Sequence, residues 1–316
     1  MFRKCIALCL ALAVAGGGAS SWAQEKTGGR KVSERLVVKI APSAITDSIM
    51  VSPDSRRIAY LARSGSKQFV VVDGQEGKAY DGIAASSIVF SPDGQHVAYA
   101  AQSGSKWSVV VDGQEGKAYD GIAASGIVFS PDGQHVAYVA ESGGKRFVVV
   151  DGKEGKAYDG IVKGGPIFSP DGQHVAYGAK SGGKWSVVVD GKEGRAYDGI
   201  GASGIVFSPD GQHVAYAARS GGKWSMVVDG KESKAYDGIG ITPVFSPDGQ
   251  HVAYAAESGG KWSVVVDGQE GKAYDGILKG SRIVFDSPDS LHYLAVKDGH
   301  SVYVGHSVYL VEEKLR

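Results

Sequence analysis

From residue 35 onward the chain sets short apolar runs between small polar punctuation marks, and the pattern repeats. Residues 127–130 (IVFS) are apolar and β-branched, and Asp132-Gly133 then marks a turn. Glycine accepts positive φ there, and aspartate bonds back to its own backbone. Residues 135–140 (HVAYVA) predict a second strand, and 107–112 (WSVVVD), in the neighbouring copy, a third. The turn Asp112-Gly113-Gln114-Glu115-Gly116 leads to a fourth, 117–122 (KAYDGI). Ser142-Gly143-Gly144 joins second to third strand, and residues 123–126 join one copy to the next. No segment shows helical spacing, and 47 glycines would penalise a helix.

Self-comparison sets the architecture. Ser-Pro-Asp occurs with its proline at Pro53, Pro92, Pro131, Pro170, Pro209, Pro247 and Pro288, at spacings of 39, 39, 39, 39, 38 and 41. The inner copies are nearly identical between residues 88 and 277, while the first (VSPDSRRIAYLA) and last (FDSPDSLHYLAV) diverge, as terminal repeats do when they cap or close an array. Four short antiparallel strands in about forty residues predict an all-β fold, a seven-bladed β-propeller of four-stranded antiparallel blades. Blades pack on both faces, which explains why Val109-Val110-Val111 is continuous rather than alternating. A helical solenoid of this period needs two amphipathic helices per repeat, and none can be drawn. The last copy has no counterpart of KAYDGI. Residues 35–40 (RLVVKI) are therefore expected to supply the outer strand of the last blade and close the ring, with 307–312 as the competing candidate. The doubled Gly-His-Ser-Val-Tyr at 299–303 and 305–309 reads as a small insertion.

The N-terminus has a different character. Arg3 and Lys4 precede an apolar run over residues 5–15 and a small-residue stretch ending in Ser21-Trp22-Ala23. That is the pattern of a cleaved signal peptide, 1–23, and the run falls short of the roughly 20 residues that span a bilayer. Residues 24–34 are expected to be a flexible linker and 35–316 the propeller. Export to a periplasmic or extracellular compartment follows, with no membrane insertion of the mature chain. Both cysteines, Cys5 and Cys9, lie inside the signal, so no disulfide, cysteine metal site or cysteine nucleophile is expected. Without Arg3 and Lys4 the chain has 32 basic and 34 acidic residues, a net charge of −2 with no block of one sign, so nucleic acid is not an expected partner.

SPDGQHVAYAA followed by a VVVDG strand resembles the propeller repeats of the TolB type, relatives of the WD-repeat domains, over residues 52–296. The resemblance implies the same blade fold and, because such repeats serve periplasmic interaction partners, peptidase side domains and some polysaccharide lyases, no single function. Val-Asp-Gly stands where WD repeats end their third strand in Trp-Asp.

Each candidate for chemistry has a structural explanation beside it. No Gly-x-Ser-x-Gly elbow is present, and seven blades leave no room for an α/β hydrolase domain. His96, His135, His174, His213, His251 and His292 recur once per blade, at separations of about 10 Å or more that one zinc ion, with bonds near 2 Å, could not bridge. They read as solvated strand starts. The acidic turns offer two carboxylates in five residues, well short of the roughly six to eight oxygens calcium takes. No metal or other cofactor is expected. Trp107, Trp185, Trp224 and Trp262 begin the third strand in four copies, where Gln68 and Arg146 stand in two others. A position that accepts Trp, Gln or Arg is not a fully buried one, and it lies beside the Ser-Gly-Gly loop. These residues, with the variable loop positions Lys163, Lys279 and Arg282, are the candidate binding surface for protein, or for glycan. Tyr80, Tyr119, Tyr158, Tyr197, Tyr236 and Tyr274 read as structural.

Five nearly identical blades supply the same groups five times, which suits a multivalent binding surface better than an active site needing distinct acid and base. The expected function is an exported, non-enzymatic binding scaffold. One alternative is a sugar-active enzyme such as a polysaccharide lyase, using Arg56, Arg57, His292 and Arg282 of the divergent ends. Another is a structural repeat without a specialised ligand. Near-identical blades also permit oligomers by blade exchange.

Overall fold

The computed structural model describes residues 23–27, 30–123, 126–240, 242–278, 280–297 and 307–315, with side chains from residue 35 onward except 202 and 203. Apart from two three-residue 3₁₀ turns, Thr46–Ser48 and Ala85–Ser87, every regular element described is a strand. Among the described residues, seven antiparallel sheets of four or five strands follow one another after a two-stranded pair near the N-terminus. In the second, Gly82–Ile83 and Val89–Phe90 are two halves of an interrupted inner strand, both paired with Val97–Ser103. That strand pairs with Lys106–Val111, which pairs with the outer strand Gln114–Glu115. The third to sixth sheets repeat this order; in the fifth the inner strand runs through as Gly199–Phe207, with a bulge between Ile200 and Ile205. These are the blades of a β-propeller.

The expected fourth strand, 117–122, is divided between two sheets. Tyr119 bridges to Trp107 in its own sheet, whereas Gly121 and Ile122 pair with Glu141 and Ala140 of the next. Asp120 holds the crossing: its carboxylate accepts from Lys106 Nζ (2.5 Å) and from the Gly143 N–H (2.8 Å). Both halves are extended, so residue alternation continues through the point where the pairing partner changes.

The Ser-Pro-Asp turn accounts for its own residues. Ser91 Oγ donates to Asp93 Oδ1 (2.5 Å) and accepts from the His96 N–H (2.9 Å), and Asp93 Oδ1 also accepts from the Gln95 N–H (3.0 Å). The serine hydroxyl, then the backbone bond, holds the Asp93 carboxyl below the usual carboxylate range. Gly94, at φ +72°, lies so close to the preceding sheet that a Cβ would sit 2.9 Å from Asp54 Oδ1. The turn both closes a hairpin and spaces neighbouring sheets.

Between sheets the packing recurs. Ala98, Ala100, Val109 and Tyr119 meet Ile127, Tyr138, Ala140 and Val149, so consecutive valines such as Val109 and Val110 are both buried, each against a different neighbour. Across all six interfaces an outer-strand tyrosine meets a second-strand tyrosine edge-on, with ring centroids 6.2–6.3 Å apart. Tyr80, Tyr158 and Tyr197 donate to Glu115, Glu193 and Glu232 of the following sheet at 2.7–2.8 Å. The basic residue two positions earlier pairs with the same glutamate, as Lys78 does with Glu115 (2.6 Å). Burial first, and the bond to glutamate second, push these phenols far above their ordinary range.

The ends differ from the interior. In the last sheet Gly276–Ile277 and Val284–Ser287 pair with Ser290–Lys297, which pairs along its length with Ser307–Lys314. Residues 307–312 thus belong to a third strand, not a fourth, and among the described residues no strand pairs with its outer edge. Closure by residues 35–40 is not confirmed, since they form no ladder. Six apolar clusters join consecutive sheets, and the seventh (Tyr60, Ala62, Phe69, Val71) belongs to the first sheet alone. Within the stretch expected to be a linker, Ala23–Thr27 pairs with Arg30–Glu34.

Candidate binding site on the loop face

The third strand of each inner sheet opens with a lysine and the variable position, which the backbone ties to the outer-strand tyrosine: Trp107 N–H donates to Tyr119 O (2.9 Å) and Tyr119 N–H to Trp107 O (2.8 Å). The lysine beside it is neutralised by the Tyr-Asp aspartate, as Lys67 is by Asp81 (2.7 Å). The loop face is therefore charge-balanced sheet by sheet, and its distinct chemistry falls to the variable position and the inner-strand loops.

Trp107, Trp185, Trp224 and Trp262 are half-buried. Two of them face a cross-strand cation: Lys180 Nζ lies 5.6 Å from the Trp185 ring centroid, and the Arg219 guanidinium 5.7 Å from that of Trp224. Where arginine replaces tryptophan the partner is acidic, Arg146 Nε meeting Glu141 Oε2 at 3.2 Å. Gln68 Oε1 accepts the Ile83 N–H (2.7 Å), which ties the first sheet to the inner strand of the second. Lys163 is exposed on its loop, and Lys279 lies outside the described residues. Much of each variable residue is thus occupied locally, by cross-strand pairing.

One place departs from this. Between the sixth and seventh sheets a cavity of about 700 Å³ opens on the loop face, lined by Gly240, Thr242, Val244, Ala255, Trp262, Ile277, Leu278, Gly280, Ser281 and Arg282. A Cβ at Gly240 would stand 2.5 Å from Trp262 Cζ3, so this glycine lets the indole lie across the inner strand. The matching residues in three earlier sheets, Ala84, Ala123 and Val162, carry side chains. Opposite Trp262 stands Glu257, where Lys180 and Arg219 stand opposite Trp185 and Trp224. Arg282 is exposed at the rim, and no ion pair of its side chain is found among the described residues. The structure thus brings two of the sequence candidates, Trp262 and Arg282, into one recess; it leaves Gln68, Trp107, Arg146 and Trp224 each on a sheet of its own, and Trp185 and Lys163 on the fourth. Gly240 and Leu278 were missed, and Thr242 was legible only as part of a loop, 241–243, that varies between copies. The only signal in the chain was that this loop and the one after residue 278 depart from the repeat.

The other candidates have structural duties. His96 Nδ1 meets Asp112 Oδ2 (2.6 Å), and its ring stacks on Phe129 of the next sheet at 6.4 Å. In the first sheet Arg57 fills the same place, with Nε 2.8 Å from Asp73 and the guanidinium 5.6 Å from the Phe90 centroid. All six repeat histidines are therefore paired with an aspartate, and His96, His135 and His213 also stack on a phenylalanine of the next sheet, rather than being simply solvated. Among the described residues no group of three or more His, Cys, Asp or Glu is placed to hold a metal. Of the residues assigned to a sugar-active alternative, Arg56 and Arg57 flank the first Ser-Pro-Asp turn, His292 is bonded to Asp286 (2.8 Å), and Arg282 stands on the loop face. They do not converge.

No family model and no curated protein matches the chain. Solved structures do. TolB from Acinetobacter baumannii is 20% identical with a TM-score of 0.34, over 68% of this chain and 62% of that one, so this chain spans less than two thirds of its length. The β-propeller domain of the trilobed protease from Pyrococcus furiosus, described as having an open velcro topology, is 14% identical with a TM-score of 0.36, over 82% and 94%. A putative 6-phosphogluconolactonase from Bacteroides uniformis is 18% identical with a TM-score of 0.30, over 73% and 83%. Read from its own sheet topology and its recurring Ser-Pro-Asp turn, the chain is a β-propeller repeat protein.

Proposed function

We propose that this chain is an exported, non-enzymatic scaffold that binds a protein partner on its loop face, with the recess between the sixth and seventh sheets as the principal contact. The observation that carries this reading is the joining of an indole, an apolar floor and an exposed guanidinium in one cavity. Tryptophan and arginine are the side chains that most often dominate protein recognition, and they do so from partly enclosed pockets. The remaining sheets, built alike, contribute a regular surface around it. An indole lying flat beside a cavity also suits a sugar ring, which makes glycan the second reading. No helix of the described residues is long and apolar enough to cross a membrane.

The test is affinity capture from the envelope fraction of the source, with wild type, Trp262→Ala, Arg282→Ala and Gly240→Ala, alongside binding to an immobilised glycan panel. Trp262→Ala should weaken capture of a specific protein about thirtyfold, the equivalent of roughly 2 kcal/mol. Gly240→Ala should do so too, by displacing the indole. Trp107→Ala should change capture little. If all four variants capture the same partner equally, the recess is not the contact; if only glycans are retained, the second reading stands.

A further inference from the structure

Every large apolar side chain exposed among the described residues lies at one end of the array: Leu36, Val37, Ile40 and Met50–Val51 at the first, Val284 and residues 308–310 at the last. Leu310 shows how unusual this is. It pairs with Leu294 as Val109 pairs with Ala100 and Val264 with Ala255, yet Val109 and Val264 are 2% and 0% exposed and Leu310 is 62%. The forward face and outer edge of the last sheet have lost the neighbour that every other sheet has.

The missing piece is present elsewhere. A shift of one repeat, 39 residues, from the outer strand of the first sheet sets Leu36 at the place of Gln75, Lys39 at that of Lys78 and Ala41 at that of Tyr80. Ala41 and Ala44 keep this register: Ala44 bridges Ala62 as Ile83 pairs with Ala101, and the Ala41 N–H donates to the Tyr60 hydroxyl (3.3 Å), where by repeat the Tyr80 ring meets Tyr99. Residues 36–41 thus precede the first sheet in the register of an outer strand, and among the described residues no other strand of a sheet before the first is found. Among the described residues the last sheet has inner, second and third strands and no outer one. An unpaired segment and a sheet lacking its outer strand among the described residues sit at opposite ends of an array joined by six interfaces of one geometry.

We propose that residues 36–41 of one copy pair with the Ser307–Lys314 edge of a second copy, completing its last sheet and joining copies head to tail. The unpaired segment is anchored on its own first sheet, whose rear face (Tyr60, Ala62, Phe69, Val71) is already buried, while Leu310 remains open. The two halves of one chain therefore look outward toward different copies. Strand addition to an exposed edge supplies main-chain bonds, and the apolar Leu36, Val37 and Ile40 supply the burial that Val308 and Leu310 lack. The contact uses two different surfaces, so it repeats.

The experiment uses the full chain with Cys5 and Cys9 changed to Ser, and two further variants of it, Val37→Cys and Leu310→Cys. The two are mixed at micromolar concentration and treated with a short bis-maleimide. A covalent pair of twice the chain mass, formed in the mixture and containing one copy of each variant, is the expected result. Leu310→Lys should then reduce the mass measured by sedimentation from oligomer to single chain. Linking only within a doubly substituted chain, with no product in the mixture, would overturn the proposal in favour of closure by the chain's own strand. Self-linking of Leu310→Cys alone would show two last sheets meeting edge to edge. A single-chain mass at every concentration, with no product in any arm, would show that the ends do not pair.

Discussion

Replacing Gly211 by alanine separates two roles of the Ser-Pro-Asp-Gly turn. Gly211 has φ +78°, and a Cβ there would lie 2.8 Å from both Cγ and Oδ1 of Asp171 in the preceding sheet and 3.0 Å from Oδ2. Holding an L-residue in the left-handed region costs about 1–2 kcal/mol. Forcing the carboxylate and its turn aside adds about 1–3 kcal/mol of overpacking. The loss should therefore be about 2–5 kcal/mol. Gly221 is the control: its φ is +58° and nothing lies within 4 Å of its missing Cβ, so alanine there should cost the conformational part alone. Because sheets in an array open locally, hydrogen exchange of the Val214–Ser220 amides is the suitable assay. Removing the obstacle, in Asp171→Ala combined with Gly211→Ala, should recover the steric part as a coupling of about 1–3 kcal/mol. Equal losses for Gly211→Ala and Gly221→Ala, with no coupling to Asp171, would refute the close approach of neighbouring turns and with it the turn's role as a spacer.

Three further outcomes follow from the same geometry. Tyr197→Phe keeps the edge-on contact with Tyr216 but loses the 2.8 Å bond to Glu232, so it should cost about 0.5–1.5 kcal/mol, against about 3–5 kcal/mol for Tyr197→Ala, in chemical denaturation. The turn carboxyls, Asp93 and its equivalents Asp132, Asp171 and Asp210, are held below their ordinary range first by the serine hydroxyl. Their contribution to stability is then complete above the unfolded value near pH 4 and is lost as pH falls through the lower folded values. Acid unfolding should begin in that window, and Asp132→Asn should make its own sheet less sensitive to it in pH-dependent hydrogen exchange. His135→Arg should be tolerated within about 0.5 kcal/mol, because Arg57 already pairs with aspartate and covers phenylalanine in the first sheet as His135 does with Asp151 and Phe168. A loss above about 2 kcal/mol in thermal melts would show that the imidazole has a role of its own.

The candidate site was legible only in part. That the third-strand tryptophans are neither core nor fully solvated could be read from their exchange with Gln68 and Arg146. That Lys180 and Arg219 cover Trp185 and Trp224, while Trp262 instead leans across Gly240, could not, because these partners meet across strands and their pairing depends on register. Arg282 and Trp262 are twenty residues apart in the chain and belong to different sheets. Only the stacking of the sixth sheet on the seventh makes them one recess.

By itself the chain determined the repeat, the strand order within it, the number of sheets and the turn chemistry of Ser-Pro-Asp-Gly, since each rests on local residue preference over a few positions. Tertiary structure decided the rest. It assigned Gly121 and Ile122 to the following sheet, because a strand belongs to whichever backbone satisfies its hydrogen bonds. It turned His96 into a paired and stacked group, because its aspartate and phenylalanine lie sixteen and thirty-three residues away. And among the described residues it left the outer edge of Ser307–Lys314 without a partner while Ala41 and Ala44 settled on the first sheet, because the edge a segment joins is decided by the packing around it, which no run of residues contains.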